Sequence, residues 1–168
     1  MIRTIAFSTL LLVGCTFAQS TWFGGIAILG IAPDISILVL IWVSYRNGLV
    51  EGSVSGFISG FAEDFLSSSP LGFHAFIKTA IAIVTAILHG SFYIDKVLLP
   101  VILGFVGTIA KALIAWALFL LFGENIHVYS IFSIGLWIEA AYNGVLAPFV
   151  FLLLGLLSSI LETEHRRR

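Results

Sequence analysis

The chain has 168 residues, of which 60% are hydrophobic and only 10% charged, and its mean hydropathy is +1.12. These values exclude an ordinary soluble domain and indicate a membrane protein. The net charge of -1 gives no support for a nucleic-acid-binding surface, and the single cysteine, Cys15, excludes an internal disulfide.

Apolar blocks recur along the chain and predict an all-α membrane protein, a compact bundle of about six transmembrane helices. A crossing needs roughly 20 mainly apolar residues, and turn-forming residues such as Arg46-Asn47-Gly48 separate the blocks. In chain order the blocks are 5–18, 35–45 with an extension back over 24–31, 49–65, 73–89, 97–122 and 131–161. In the last block, Pro148 predicts a kink or a junction with an interfacial segment. We expect residues 1–161 to form one transmembrane domain and 162–168 a short charged cytoplasmic tail.

The basic residues predict the orientation of the helices, because Lys and Arg in short loops stay on the cytoplasmic side. With both termini in the cytoplasm, six crossings place Arg3, Arg46, Lys96 and the arginines of 166–168 on that side. The loops at 66–72 and 123–130 then face outward, and neither contains Lys or Arg.

The N-terminal block has two interpretations. Arg3 followed by an apolar stretch resembles a signal peptide, and Leu12-Val13-Gly14-Cys15 resembles a lipoprotein cleavage site. An uncleaved first helix is favoured, because the remaining blocks already make the chain polytopic. Processing at Cys15 is the alternative.

Small residues line one face of the third block. Gly48, Gly52, Gly56 and Gly60 lie four residues apart, and Asp64 continues the series. Small side chains let helix backbones approach closely in lipid, where apolar attraction between helices is weak. We favour internal helix packing for this face; the alternatives are a binding face for a partner's transmembrane helix or a wall of a ligand cavity.

Ionisable residues within or beside the apolar blocks are costly in lipid and should face protein or the interface. Asp34 follows Pro33 at a predicted helix start, where a carboxylate caps free N–H groups. Asp64 closes the glycine face, and His74 and Lys78 share a face of the next helix. We therefore predict a contact between Asp64 and Lys78.

Lys111 and Glu139 lie in the last two blocks and are candidates to pair, although snorkelling or cavity water could satisfy either alone. The four histidines are scattered and lack the spacing of metal ligands. No nucleophile elbow, P-loop or dinucleotide motif is found. We therefore predict neither enzyme activity nor a metal or other cofactor.

Several short motifs follow one another over most of the chain. They are Gln19-Ser20, Pro33-Asp34, Arg46-Asn47-Gly48, Gly56-Phe57, Gly60-Phe61, Asp64, Pro70-Leu71-Gly72, His74-Ala75 and the run from Asn143 to Pro148. Their order resembles the bacterial rod shape-determining MreD family. The resemblance implies a non-enzymatic inner-membrane subunit of the cell-elongation complex. Its implied direct partner is MreC, with MreB, RodA and penicillin-binding protein 2 in the wider complex.

A second interpretation is a small-molecule-binding subunit, similar to the substrate-binding components of energy-coupling-factor vitamin transporters. Those proteins are also compact six-helix bundles with Gly-rich helices. Such a subunit needs polar groups that converge near the outer side, for which the candidates are Asp34, Asp64, His74, Lys78 and Glu139. An ion-coupled transporter is less favoured, because the sequence lacks an inverted repeat of broken helices.

Overall fold

The structure, a computed structural model, describes residues 2–22, 30–67, 69–88, 97–122 and 133–158. The elements within these ranges are α-helices, which confirms the all-α prediction. They are α1 Ile2–Trp22, α2 Ile35–Asn47, α3 Leu49–Leu66, α4 Phe73–Ile87, α5 Leu98–Phe122 and α6 Ile134–Leu156. Each predicted block corresponds to one helix. Most of the predicted extension over 24–31 and all of the tail at 162–168 lie outside the described residues.

Helix α2 occupies the centre of the bundle and packs against all five other helices. Every residue from Ser36 to Ser44 is buried, which is the pattern of a helix that is apolar on all sides. With 13 residues, α2 is only about 20 Å long. It therefore passes through the interior as a short core around which the longer helices pack.

Around α2, the other helices pack in the sequence α1, α3, α4, α5, α6. The turn between α2 and α3 is the single residue Gly48, whose φ of 93° is a left-handed conformation that suits glycine. Its N–H donates a hydrogen bond to the carbonyl of Ser44 at 3.0 Å. This turn places α3 directly beside the end of α2.

Helix α6 runs from Ile134 to Leu156 with Pro148 inside it. Over these residues the chain is therefore one helix, and a separate interfacial segment does not precede Pro148. Gly104 of α5 lies so close to α6 that an added Cβ would be 2.9 Å from the Asn143 carbonyl oxygen and from Ala147 Cβ. The contact between α5 and α6 thus depends on small residues.

Three of the described helices are long and apolar enough to cross a membrane: α1, over 2–21, α5 and α6. Two others, α2 and α4, are apolar but shorter, and α3 carries Glu51, Glu63 and Asp64. Large apolar side chains such as Phe65 and Leu121 are exposed on the outside of the bundle. The chain is a membrane protein, and its six crossings remain a prediction.

Candidate functional site

The start of α2 is held by its own cap and by hydrogen bonds from α1 and α6. Asp34 caps α2, as predicted, with Oδ1 accepting from the Ile37 N–H at 3.1 Å. The Asp34 N–H donates to Asn143 Oδ1 of α6 at 2.9 Å. Gln19 of α1 accepts from the Ser36 N–H at 2.6 Å and donates to the Pro33 carbonyl at 3.3 Å. The Asp34 carboxylate therefore has a fixed position inside the bundle.

Lys111 of α5 joins Asp34 to Glu139 of α6. Its Nζ lies 3.0 Å from Asp34 Oδ2 and contacts Glu139 Oε1, so the predicted pair of Lys111 and Glu139 is present. The Asn143 amide, one turn along from Glu139, donates to Thr108 Oγ1 at 2.9 Å. Because Asn143 also accepts from Asp34, one buried side chain connects the cap of α2 to both α5 and α6.

Lys78 of α4 forms a second ion pair, but not with the predicted partner. Its Nζ lies 2.5 Å from Glu63 Oε2 of α3. It also donates to Ser36 Oγ at 2.6 Å and to Thr16 Oγ1 at 3.2 Å. The prediction of an Asp64–Lys78 contact is therefore wrong, because the neighbouring carboxylate of Glu63 takes that place.

Asp64 instead caps the start of α4 from the neighbouring helix. It accepts backbone N–H groups from Gly72 and His74, each at 2.8 Å, and from Ala75 at 3.4 Å. The His74 ring adds a bond between Nδ1 and Asp64 Oδ1 at 2.9 Å. Since the first N–H groups of a helix have no partner within it, Asp64 supplies the acceptors that α4 lacks.

The ion pairs of Lys78 and Lys111 line one cavity of about 160 Å³, to which α2, α3, α4, α5 and α6 all contribute residues. Its polar wall contains five of the residues singled out from the sequence, together with Glu63. These are Asp34, His74, Lys78, Lys111 and Glu139. Asp64 and Asn143 do not line the cavity, but each is hydrogen-bonded to a residue that does, Asp64 to His74 and Asn143 to Asp34. The sequence could not show that residues from five helices converge in this way.

The family model for the rod shape-determining protein MreD matches residues 1–157. The chain belongs to the MreD family. No curated protein and no solved structure matches it. Membership of this family confirms the resemblance seen in the motifs and indicates a role in rod shape determination.

In this MreD-family chain the glycine face lies inside the bundle. A Cβ added at Gly60 would lie 2.5 Å from the His74 carbonyl oxygen, and one at Gly52 would lie 2.8 Å from Ser44 Cα. Gly56 is nearly as close to α4, 3.1 Å from the Lys78 carbonyl oxygen. These three glycines pack against α2 and α4, so their face is not open to a partner's helix. Gly48 belongs to the turn.

Several polar members of the network carried no sequence signal for a site. Thr16, Gln19 and Ser36 surround a second cavity of about 160 Å³, which Glu63 also lines. Ser and Thr are ordinary at helix contacts in membranes, so residue type alone does not distinguish Thr16 or Ser36, and Gln19 stands out only as part of the Gln19-Ser20 motif. Within the described ranges, no three His, Cys, Asp or Glu side chains are grouped as metal ligands.

Proposed function

We propose that this protein is a non-enzymatic inner-membrane subunit of the cell-elongation complex, which binds MreC and helps organise or regulate peptidoglycan synthesis. The observation that carries the proposal is the match to the MreD family over residues 1–157. In this proposal MreB, RodA and penicillin-binding protein 2 belong to the wider complex. The bundle crosses the membrane six times, with both termini in the cytoplasm.

The interior of the bundle suits a scaffold. Lys78 and Lys111 are each paired with carboxylates from neighbouring helices, so the charges cross-link the helices within the bundle. Polar networks whose members are satisfied add rigidity and specify one packing arrangement. A rigid bundle can present a fixed outer surface to a partner, while the chemistry of wall synthesis belongs to other subunits.

The surface proposed for MreC lies beside Asp64, where the hydrogen bonds of that carboxylate hold the turn between α3 and α4. Leu71 is 66% exposed on this turn. An apolar groove of about 530 Å³ runs between the turn and the end of α5, where Leu118, Leu121 and Phe122 line it. Exposed apolar groups are ordinary on a membrane protein, so what suits this place to a partner is the groove itself, which lies beside a turn that hydrogen bonds hold in place. An apolar segment of MreC is the proposed occupant.

Co-purification with MreC tests this proposal. The double variant Leu71→Ala with Leu121→Ala should reduce MreC recovery roughly tenfold or more, because truncating two anchoring side chains commonly costs on the order of 2 kcal/mol or more. The matched control is Leu152→Ala with Leu153→Ala, two exposed leucines near the other end of the bundle. If both double variants recovered MreC equally, this groove would not be the binding surface. If the unaltered chain recovered no MreC, the proposed function itself would be wrong.

A second candidate function is the small-molecule-binding subunit considered from the sequence. It is favoured by one observation, the convergence of Asp34, His74, Lys78 and Glu139 on one cavity. Recovery of a transporter ATPase and a bound vitamin from native membranes, without MreC, would support this alternative over the shape-determining subunit.

A further inference from the structure

We infer that the cavity is a binding site for a cluster of about five ordered water molecules, which joins the ion pair of Lys78 to the ion pairs of Lys111. Three features support this site: the packing of the helices around the cavity, the polar groups on its two sides and its volume. The water does not depend on whether MreC binds the outer surface.

The cavity lies between two pairs of helices. Helices α3 and α4 pack closely against each other, and so do α5 and α6, whereas α4 and α5 share a smaller contact. Over the described parts of these helices, α6 makes at most a marginal contact with α3 or α4. Apart from α2, which contacts all four helices, little protein therefore connects the two pairs across the cavity.

Polar groups lie on both sides of this space. On the side of α3 and α4 they are Glu63, His74 and Lys78, and on the other side they include Lys111 and Glu139. His74 Nε2 and Glu63 Oε1 are 3.8 Å apart. This distance exceeds a direct hydrogen bond, and a water that contacts both atoms commonly completes such a pair. The side chains of Glu63 and Lys111 are 26% and 23% exposed, so neither is fully covered by protein.

Water satisfies these groups whichever of them carry protons. It donates to a carboxylate or to a neutral imidazole nitrogen, and it accepts from an ammonium or a protonated imidazole. An ammonium group has three N–H donors, and Asp34 and Glu139 engage two of those on Lys111. The third can donate to water. The site therefore requires no particular balance of charge.

The volume of the cavity fits a small cluster. At roughly 30 Å³ for each molecule in the liquid, a cavity of about 160 Å³ holds about five waters. An ordered water needs two to four polar partners, which the polar side chains and the neighbouring waters supply. A molecule with a hydrocarbon body would instead separate the two polar sides from each other, so we commit to water as the occupant.

Hydroxyl-radical footprinting tests for this water, because radicals formed from ordered water oxidise the side chains beside it. The full-length protein in lipid nanodiscs is exposed to a synchrotron beam, and the oxidation rate of each residue is measured by mass spectrometry. Leu136 and Ile77 line the cavity and are only 1% and 3% exposed. Leu40 and Ile41 are the matched controls, since they are 0% and 1% exposed but do not line the cavity.

Leu136 should be oxidised at least about tenfold faster than Leu40, and Ile77 at least about tenfold faster than Ile41, because only the cavity residues have water beside them. Equal rates within either pair would overturn the inference. This is also the result expected if the cavity held a dry void or an organic molecule in place of water.

A variant assigns the water to this cavity. Ala115 lines the cavity, so Ala115→Leu fills part of it and should lower the oxidation rate of Leu136 at least about threefold. Ala117→Leu is the matched control, since Ala117 is exposed on the same helix and does not line the cavity. It should leave the rate unchanged.

A rate for Leu136 that stays the same in Ala115→Leu would show that the water lies elsewhere, and the site would be wrong. Ala112→Val makes a smaller addition to the same wall, and it repeats the measurement if Ala115→Leu does not fold.

Discussion

The ammonium of Lys111 lies between the carboxylates of Asp34 and Glu139, and all three groups are largely shielded from solvent. Replacing Lys111 by Met keeps most of the side-chain volume but leaves two carboxylates together without their cation. Breaking a buried ion pair in this way costs about 3–5 kcal/mol. We expect Lys111→Met to lower the thermal unfolding temperature of the purified protein strongly, as measured by a fluorescence-detected melt in detergent.

The partner variants give this prediction its control. Glu139→Gln should be milder, because Lys111 keeps its pair with Asp34. The double variant Lys111→Met with Glu139→Gln should unfold at a higher temperature than Lys111→Met alone, since it removes one of the stranded carboxylates. If the single and double lysine variants melted together, the ion pairs would not contribute to stability in the way the structure indicates.

For single residues, the sequence predicts a local role such as a helix cap better than it predicts a contact between residues far apart in the chain. Asp34 was identified as a cap because Pro33 and the following apolar run indicate a helix start. The sequence predicts the wrong carboxylate for Lys78, because Glu63 and Asp64 are adjacent on α3 and their side chains differ by about 100° in direction. Only the packed position of α3 against α4 decides which of the two meets the lysine and which meets the N–H groups of α4.

The contact between α3 and α4 should be the helix–helix contact most sensitive to added volume. At Gly60 a Cβ would meet backbone atoms of α4, at 2.5 Å from the His74 oxygen and 2.6 Å from Ala75 Cα. Backbone atoms cannot move aside as a flexible side chain can, so the helices must separate. Gly60→Ala should therefore destabilise the protein by about 3 kcal/mol, at the upper end of the usual range for overpacked cores.

Two other glycines complete this test. Gly56→Ala should be milder than Gly60→Ala, because the nearest atoms lie 3.1 Å away. Gly14 of α1 has open space around the position of a Cβ, so Gly14→Ala should stabilise the helix by about 0.5–1 kcal/mol. The measurement is the unfolding temperature of all three variants in one detergent. A Gly60→Ala protein as stable as the Gly14→Ala protein would contradict the close packing of α3 on α4.

At the scale of elements, periodicity predicted that small residues of α3 face another helix, because their four-residue spacing places them in one row. It could not identify which helix. The closest approach is to α4, the next helix in the chain, with α2 contacting the other end of the row at Gly52. Gly48 shares the spacing but belongs to a turn, so a spacing rule alone extends the row one position too far.

For the whole molecule, the distribution of Lys and Arg predicts which end of each helix faces the cytoplasm. Length and hydropathy, by contrast, identify three helices among the described residues that could span the membrane. Helix α3 is the helix whose crossing most needs an explanation, because it carries three carboxylates. Its Glu51 and Asp64 side chains are buried, and Glu63 pairs with Lys78. The carboxylates that make α3 more polar than α5 or α6 are thus turned toward protein, which makes a crossing by α3 physically acceptable.

Cysteine labelling tests that crossing directly. In a Cys15→Ala background, Leu71→Cys and Leu49→Cys place single thiols at positions that are 66% and 51% exposed, at opposite ends of α3. A membrane-impermeant maleimide applied to intact spheroplasts should label Leu71→Cys and leave Leu49→Cys unlabelled until the membrane is permeabilised. The two positions are separated by α3 and the turn that follows it. Labelling of both thiols from outside would therefore show that α3 does not cross the membrane, and the six-helix topology would be wrong. Labelling of Leu49→Cys alone would instead preserve the crossing but reverse its direction, and would place both termini outside.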